Sequence, residues 1–183
     1  MKKMIVLSLA ICFLALGSNR AAFAEWDPAQ VELERVIAED TMAQFKERAP
    51  RTARFFDNAY GYAVFPTIGK GAFIIGAAKG SGLVYEKGEI VGRVTLAQGT
   101  VGLQAGGQTY SQIIFFADRV ALDSLTDNQL RFSGTASAVA ANKGASAAVD
   151  YQGGVSVFTM GETGLMLEAS MGGQKFIFEP NSQ

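Results

Sequence analysis

The spacing of apolar residues along the chain changes character at Gly61. Before it, apolar side chains recur at helical intervals; after it they come in short runs divided by glycine-containing turns, the pattern of antiparallel strands. Asp27 and Pro28 mark a helix start, the aspartate as N-cap and the proline at the first helical position, and helix formers continue to about Arg48. Placed around a helix, the apolar residues of this segment fall into two groups: Leu33, Val36 and Ile37 on one face, and Val31, Ala38, Met42, Phe45 and Ala49 roughly opposite. Two accounts fit that division. Either the helix breaks near Asp40 and brings both groups to one core, or it runs on, with one face on the domain and the other meeting a membrane or a partner. Pro50 separates it from a short second helix, Arg51 to about Ala59, with Gly61 as its stop.

From Gly61 the runs predict strands near 62–66, 71–78, 82–87, 90–97, 100–107, 110–117, 131–140, 145–150, 155–160, 164–171 and 175–179. "YEKGEIV" reads as a hairpin with Gly88 at positive φ, and "MGETGL" as a second. Only "DRVALDSLT" interrupts, as a short helix capped by Asp118. "IIFF", 113–116, is apolar on both sides of the pleat and predicts a central strand covered on both faces. Glycines inside the runs point to bulges and tight curvature. The fold class is therefore α+β: N-terminal helices packed on a curved, barrel-like antiparallel sheet, helical over 28–59 and mostly β over 61–179.

The glycine-rich "GKGAFIIGAAKGSG", 69–82, resembles a phosphate loop only superficially. Gly71 and Gly76 have the spacing of one, but Ala77 and Ala78 follow where Lys and Ser/Thr are needed, and Ile74 replaces the third glycine of a dinucleotide fingerprint. In the β context its centre "AFIIGAA" reads as a strand and the flanking "GKG" and "KGSG" as turns.

The ends alter the picture next. Lys2 and Lys3, an apolar run from Met4 to Leu16, and small residues at Ala22 and Ala24 read as a secretory signal peptide, residues 1–24, cleaved after Ala24. The expectation is a single domain over 25–183, exported, periplasmic, and peripheral to an envelope membrane. Cys12, the one cysteine, leaves with the leader, so no disulfide or thiol nucleophile is expected in the mature chain. Without Lys2, Lys3 and Arg20, 13 basic residues face 17 acidic ones, a net charge of −4. Residues 25–45 carry six acids against one arginine; Lys46, Arg48, Arg51 and Arg54, against Glu47 alone, then form a small basic patch.

No histidine occurs anywhere, which removes serine–histidine triads, cysteine–histidine dyads and nearly all zinc sites. Neither Gly-x-Ser-x-Gly nor Ser-x-x-Lys is present. Glu86, Glu89, Asp118, Asp123 and Asp127 remain as acids for a glycosidase-type pair, each in a turn or helix-start context typical of solvated charge. The expectation is a protein with no catalytic residues, no metal, no cofactor and no nucleic-acid partner.

The succession "GYAVFPTIGKGAFIIGAAKGSGLVY", "GLQAGGQTYSQIIFF" and "FSGTASAVA" resembles the SYLF domain family, and the resemblance runs from about Val31 to Glu179. It implies a lipid-binding module for anionic phospholipids, phosphoinositides and phosphatidic acid being the eukaryotic ligands, with actin binding in some members. In an envelope, phosphatidylglycerol or cardiolipin is the local equivalent. The resemblance places lipid recognition at the N-terminal side, where Lys46, Arg48, Arg51 and Arg54 would meet phosphates and Trp26 the headgroup level. Lys70 and Lys79, flanking the glycine-rich segment, are two further candidates. Two other readings stand beside lipid binding: an envelope scaffold or protein-interaction module acting through the first helix, and a carboxylate-based glycan hydrolase.

Overall fold

The computed structural model describes residues 27–72, 75–101, 108–130, 151–161, 164–165 and 173–181. Its first element, α1 (Pro28–Arg48), starts where Asp27 accepts a hydrogen bond from the Ala29 N–H at 3.0 Å. It runs unbroken through Asp40, so the break weighed from sequence does not occur. One stripe of α1, Ala38, Thr41 and Phe45, is buried, while Leu33, Val36 and Ile37 are 61%, 50% and 45% exposed. A 3-10 turn (Pro50–Thr52) follows, in which the Thr52 hydroxyl bonds the carbonyls of Ala49 (2.8 Å) and Phe45 (3.1 Å) and closes the end of α1. Helix α2 (Ala53–Asn58) then brings Phe55 and Phe56 to the sheet.

The strands are β1 (Gly61–Ala72), β2 (Ile75–Glu86), β3 (Glu89–Val101), β4 (Gln108–Phe116), β5 (Val155–Gly161), β6 (Gly164–Leu165) and β7 (Gln174–Pro180), with α3 (Arg119–Thr126) between β4 and β5. They form one antiparallel sheet in the order β6-β5-β4-β1-β2-β3-β7. The hairpin at Lys87-Gly88 has both residues at positive φ, 50° and 89°, as a tight two-residue turn requires. Strands expected at 131–140 and 145–150, and most of those at 100–107 and 164–171, fall outside the described residues.

Both faces of the sheet are buried. Side chains alternate along β4: Ile113 and Phe115 join Val64, Leu83, Phe158 and Met160 under α1 and α2, while Ile114 and Phe116 join Ala63, Phe65, Leu96 and Phe176 on the other face. That doubly covered centre is the arrangement the "IIFF" run predicts. Asp118 caps α3 through the Ala121 N–H (2.9 Å), and Leu122 and Leu125 press into one end of the second core.

That second core lies inside a strong curl. β1 and β7 are three strands apart, ~14 Å in a flat sheet, yet the Phe65 and Phe176 rings are 6.1 Å apart. Gln112 on β4 and Gln174 on β7 are four strands apart and hydrogen-bond through their amides at 3.3 and 3.4 Å. Among the described residues no ladder joins β6 to β7, so the sheet is curled but open.

The glycine-rich segment is built in reverse of the sequence expectation. The chain turns back inside "AFIIGAA": β1 ends at Ala72, β2 begins at Ile75, and Ala72 pairs with Gly76. The flanks "GKG" and "KGSG", expected as turns, are strand. For "KGSG" the reason is space, since a Cβ on Gly82 would lie 2.1 Å from the Val64 carbonyl oxygen, and one on Gly80 would lie 2.6 Å from the Ile68 side chain.

Candidate functional site

β1 carries Pro66 in mid-strand, and a proline has no N–H to give to a ladder. The chain accommodates it with one extra residue. Register shifts between Val64 and Thr67 against β2 and between Phe65 and Ile68 against β4. The Ser111 hydroxyl donates to the Pro66 carbonyl at 2.7 Å. This bulge puts Pro66 and Thr67 on the side of the sheet that α1 crosses.

A groove runs there beside α1, in two halves that share Pro66 and Thr67. The half near the start of the helix has a volume of about 260 Å³ and is lined by Ile37, Leu83, Gly82 and Ser81, with Glu34 and Arg93 at its end. The half near the helix end has about 180 Å³ and is lined by Gln44, Arg48, Thr109, Tyr110, Ser111 and Met160. From residue 34 to residue 48 a helix advances ~21 Å, so the two halves lie one after the other along the helix flank.

The two ends differ electrically. At the first, Glu34 accepts a hydrogen bond from Arg93 Nε at 2.7 Å, a half-buried ion pair that fastens α1 to β3 and neutralises that end. At the second, no ion pair engages Arg48 among the described residues, and Thr67 and Thr109 line the same half. Ser111 has already committed its proton to Pro66, and the Gln44 amide donates to Asp40 at 2.7 Å. The donors this half offers an anion include the Arg48 guanidinium and the two threonine hydroxyls. Burial raises the pKa of the Tyr110 phenol above its ordinary value, keeping it neutral beside them.

The candidate cations do not all converge here. Arg48 alone of the seven candidates lines either half of the groove. Lys46 sits 4.7 Å from the Phe56 ring centroid and Arg54 4.9 Å from that of Phe55, so both brace α2 through cation–π contacts. Arg51 lies on the 3-10 turn, half-buried. Lys79 is exposed on β2, on the α1 side of the sheet but two and four positions beyond the groove residues Ser81 and Leu83. Lys70 pairs through its backbone with Ala78 and Gln108; its side chain and Trp26 fall outside the described residues.

None of the five acids set aside for a glycosidase-type pair lines either half. Glu86 accepts the Tyr60 hydroxyl at 2.6 Å, which raises the phenol's pKa; Asp118 caps α3; and Asp123 pairs with Arg119 at 3.5 Å. Thr67, Thr109, Ile37 and Leu83 were not singled out from sequence as site residues. The proline inside an apolar run was the available signal, because strand prolines mark bulges and bulges re-aim side chains at sites.

The candidate site is thus a groove at the seam between a helix and a curled sheet, apolar at one end and with Arg48 at the other. Residues 97–182 match the Ysc84 family, described as Las17-binding protein actin regulator. The chain is similar to Beta cell expansion factor A of Aeromonas veronii, with 32% identity over 143 residues, 76% of this chain and 54% of that protein. The chain belongs to the SYLF (Ysc84) family. It spans about half the length of that curated relative.

Proposed function

We propose that the protein is an exported, non-enzymatic module that binds anionic phospholipid at an envelope membrane surface, its leader over 1–24 removed and its helices and barrel-like sheet acting as one unit. One observation carries this reading: Arg48, in the basic patch that the family resemblance marks, lines a pocket with two hydroxyl donors and has no ion-pair partner among the described residues. Phosphodiester oxygens accept what those groups donate. The mature charge of −4 opposes approach to an anionic surface, so attraction is local and sensitive to salt.

Co-sedimentation of the mature protein with phosphatidylglycerol and phosphatidylcholine vesicles tests it. Preferential pelleting with the anionic vesicles, weakened by salt, is expected. Arg48→Ala removes about 1 kcal/mol, a roughly fivefold fall in partitioning. Equal recovery from both vesicle types would sink the reading.

A second reading, protein recognition, is favoured by the exposure of Leu33, Val36 and Ile37 along one stripe of α1, and by a family description that names a protein partner for its members. Sedimentation velocity with Val36→Asp discriminates: an assembly that this variant dissolves favours it, and a monomer before and after counts against it.

A further inference from the structure

We propose that the groove holds one acyl chain of an anionic membrane phospholipid, its phosphate at Arg48 and the chain running along α1 past Pro66 and Thr67 toward Ile37 and Leu83. The inference rests on the phospholipid reading and goes beyond it, from contact at a surface to capture of part of a lipid. The division of the groove supplies the argument. A ligand bound by its headgroup alone needs the cationic half and leaves about 260 Å³ of largely apolar space beside it unused. A purely apolar ligand fills that space and ignores Arg48. Pro66 and Thr67 line both halves, so a molecule with an anionic end and an aliphatic arm that reaches past them would occupy both.

Polarity sets the direction. Arg93 is held by Glu34 at 2.7 Å, so the cation facing no carboxylate partner among the described residues is at the Arg48 end. The carbonyls of Phe45 and Ala49 at the end of α1 are engaged by Thr52, which keeps them from repelling a phosphate there. Asp40 and Glu47 lie on the exposed side of the same helix; they oppose a second negative charge and favour a monoanionic phosphodiester. At the far end Leu33 and Val36, 61% and 50% exposed, extend the apolar path beyond the groove toward whatever surface the lipid comes from.

The test uses dioctanoyl phosphatidylglycerol below its micelle concentration, its deacylated counterpart glycerophosphoglycerol, and the vesicles above, with binding read by calorimetry and native mass spectrometry. A 1:1 complex with the acylated ligand is expected, at least tenfold tighter than with the deacylated one, since burying even two methylenes exceeds that factor. Ile37→Trp and, independently, Thr67→Trp fill the channel and should each weaken the soluble complex by tenfold or more. Ile37 is 45% exposed and Thr67 lies at the surface, so unchanged melting is expected to exclude misfolding. Vesicle binding without preference for the acylated soluble lipid overturns acyl capture and leaves the surface reading standing. Failure of both assays overturns both. A dimer that Ile37→Trp dissolves, with no lipid bound, assigns the groove to a second copy and overturns the proposal as well.

Discussion

Three glutamines show how single residues set the interior. Gln98, Gln112 and Gln174 are buried on the inner face of the curl, and Thr159, the cross-strand neighbour of Gln112, is buried with them. Gln174 gives its amide to Gln98 at 3.3 Å and exchanges bonds with Gln112. Through Gln112 and Gln174 the layer joins β4 to β7, strands that no ladder connects. Removing one amide orphans its neighbours, whereas removing all three leaves nothing unsatisfied among them. Gln174→Leu should therefore cost about 1–3 kcal/mol, and the triple leucine variant should recover most of it, as read by urea unfolding; additive losses would refute the coupling. Tyr85 is a different case, buried with a hydroxyl that lacks a partner among the described residues. Burial pushes its phenol far above the ordinary value, with Tyr62 and Glu39 adding to the rise, and Tyr62 is raised by burial too. A raised folded-state pKa gives stability that is complete below about pH 10 and lost as pH climbs toward the folded value. Alkaline unfolding monitored by circular dichroism should set in above about pH 10. Tyr85→Phe should flatten that loss and, at neutral pH, not destabilise the protein; a melting point lowered by several degrees would show that the hydroxyl is bonded after all. None of these pairings was legible in the sequence, because partners 76 residues apart meet through the long-range β3–β7 pairing and partners 62 apart through curvature, neither of which is a local pattern.

At the scale of elements, the sequence was most informative where a local rule governs. Asp27-Pro28, Asp118, the Lys87-Gly88 turn and the apolar "IIFF" run each behave as their chemistry dictates. It misled where tertiary space governs. The glycines of 69–82 have a turn-like composition, but Gly80 and Gly82 are strand positions with no room for a side chain, whereas Gly69 has nothing within 4 Å of an added Cβ. Gly82→Ala should thus destabilise severely, by about 3 kcal/mol or more, since backbone must move, while Gly69→Ala should be neutral or slightly stabilising. Thermal melts of the pair check this; equal melting points would mean that the glycines serve a turn after all. For α1 the two apolar groups were legible, but whether the chain would bend to bury both was not. The helix runs unbroken, burying Ala38, Thr41 and Phe45 and leaving Leu33 and Val36 exposed. Of the candidate site, the basic patch was visible in the sequence; its pocket was not, since the threonines that line it with Arg48 come from β1 and β4, brought beside it by the Pro66 bulge.

On the scale of the whole molecule, β7 lies at a rim of the sheet among the described residues, and rims of sheets invite a foreign strand to add. Here the invitation is withdrawn locally. Asn128, at φ 58° just past α3, accepts the Phe178 N–H at 2.7 Å through its side chain. Pro180 ends the strand without an N–H to offer, and Lys175 and Glu179 point charges outward. The outer margin of β7 is thereby unsuited to templating: a second chain seeking to extend the sheet meets an occupied donor, a proline and charge. Among the described residues, side chains thus give the margin of β7 the protection from strand-to-strand aggregation that a closed ring gives by geometry.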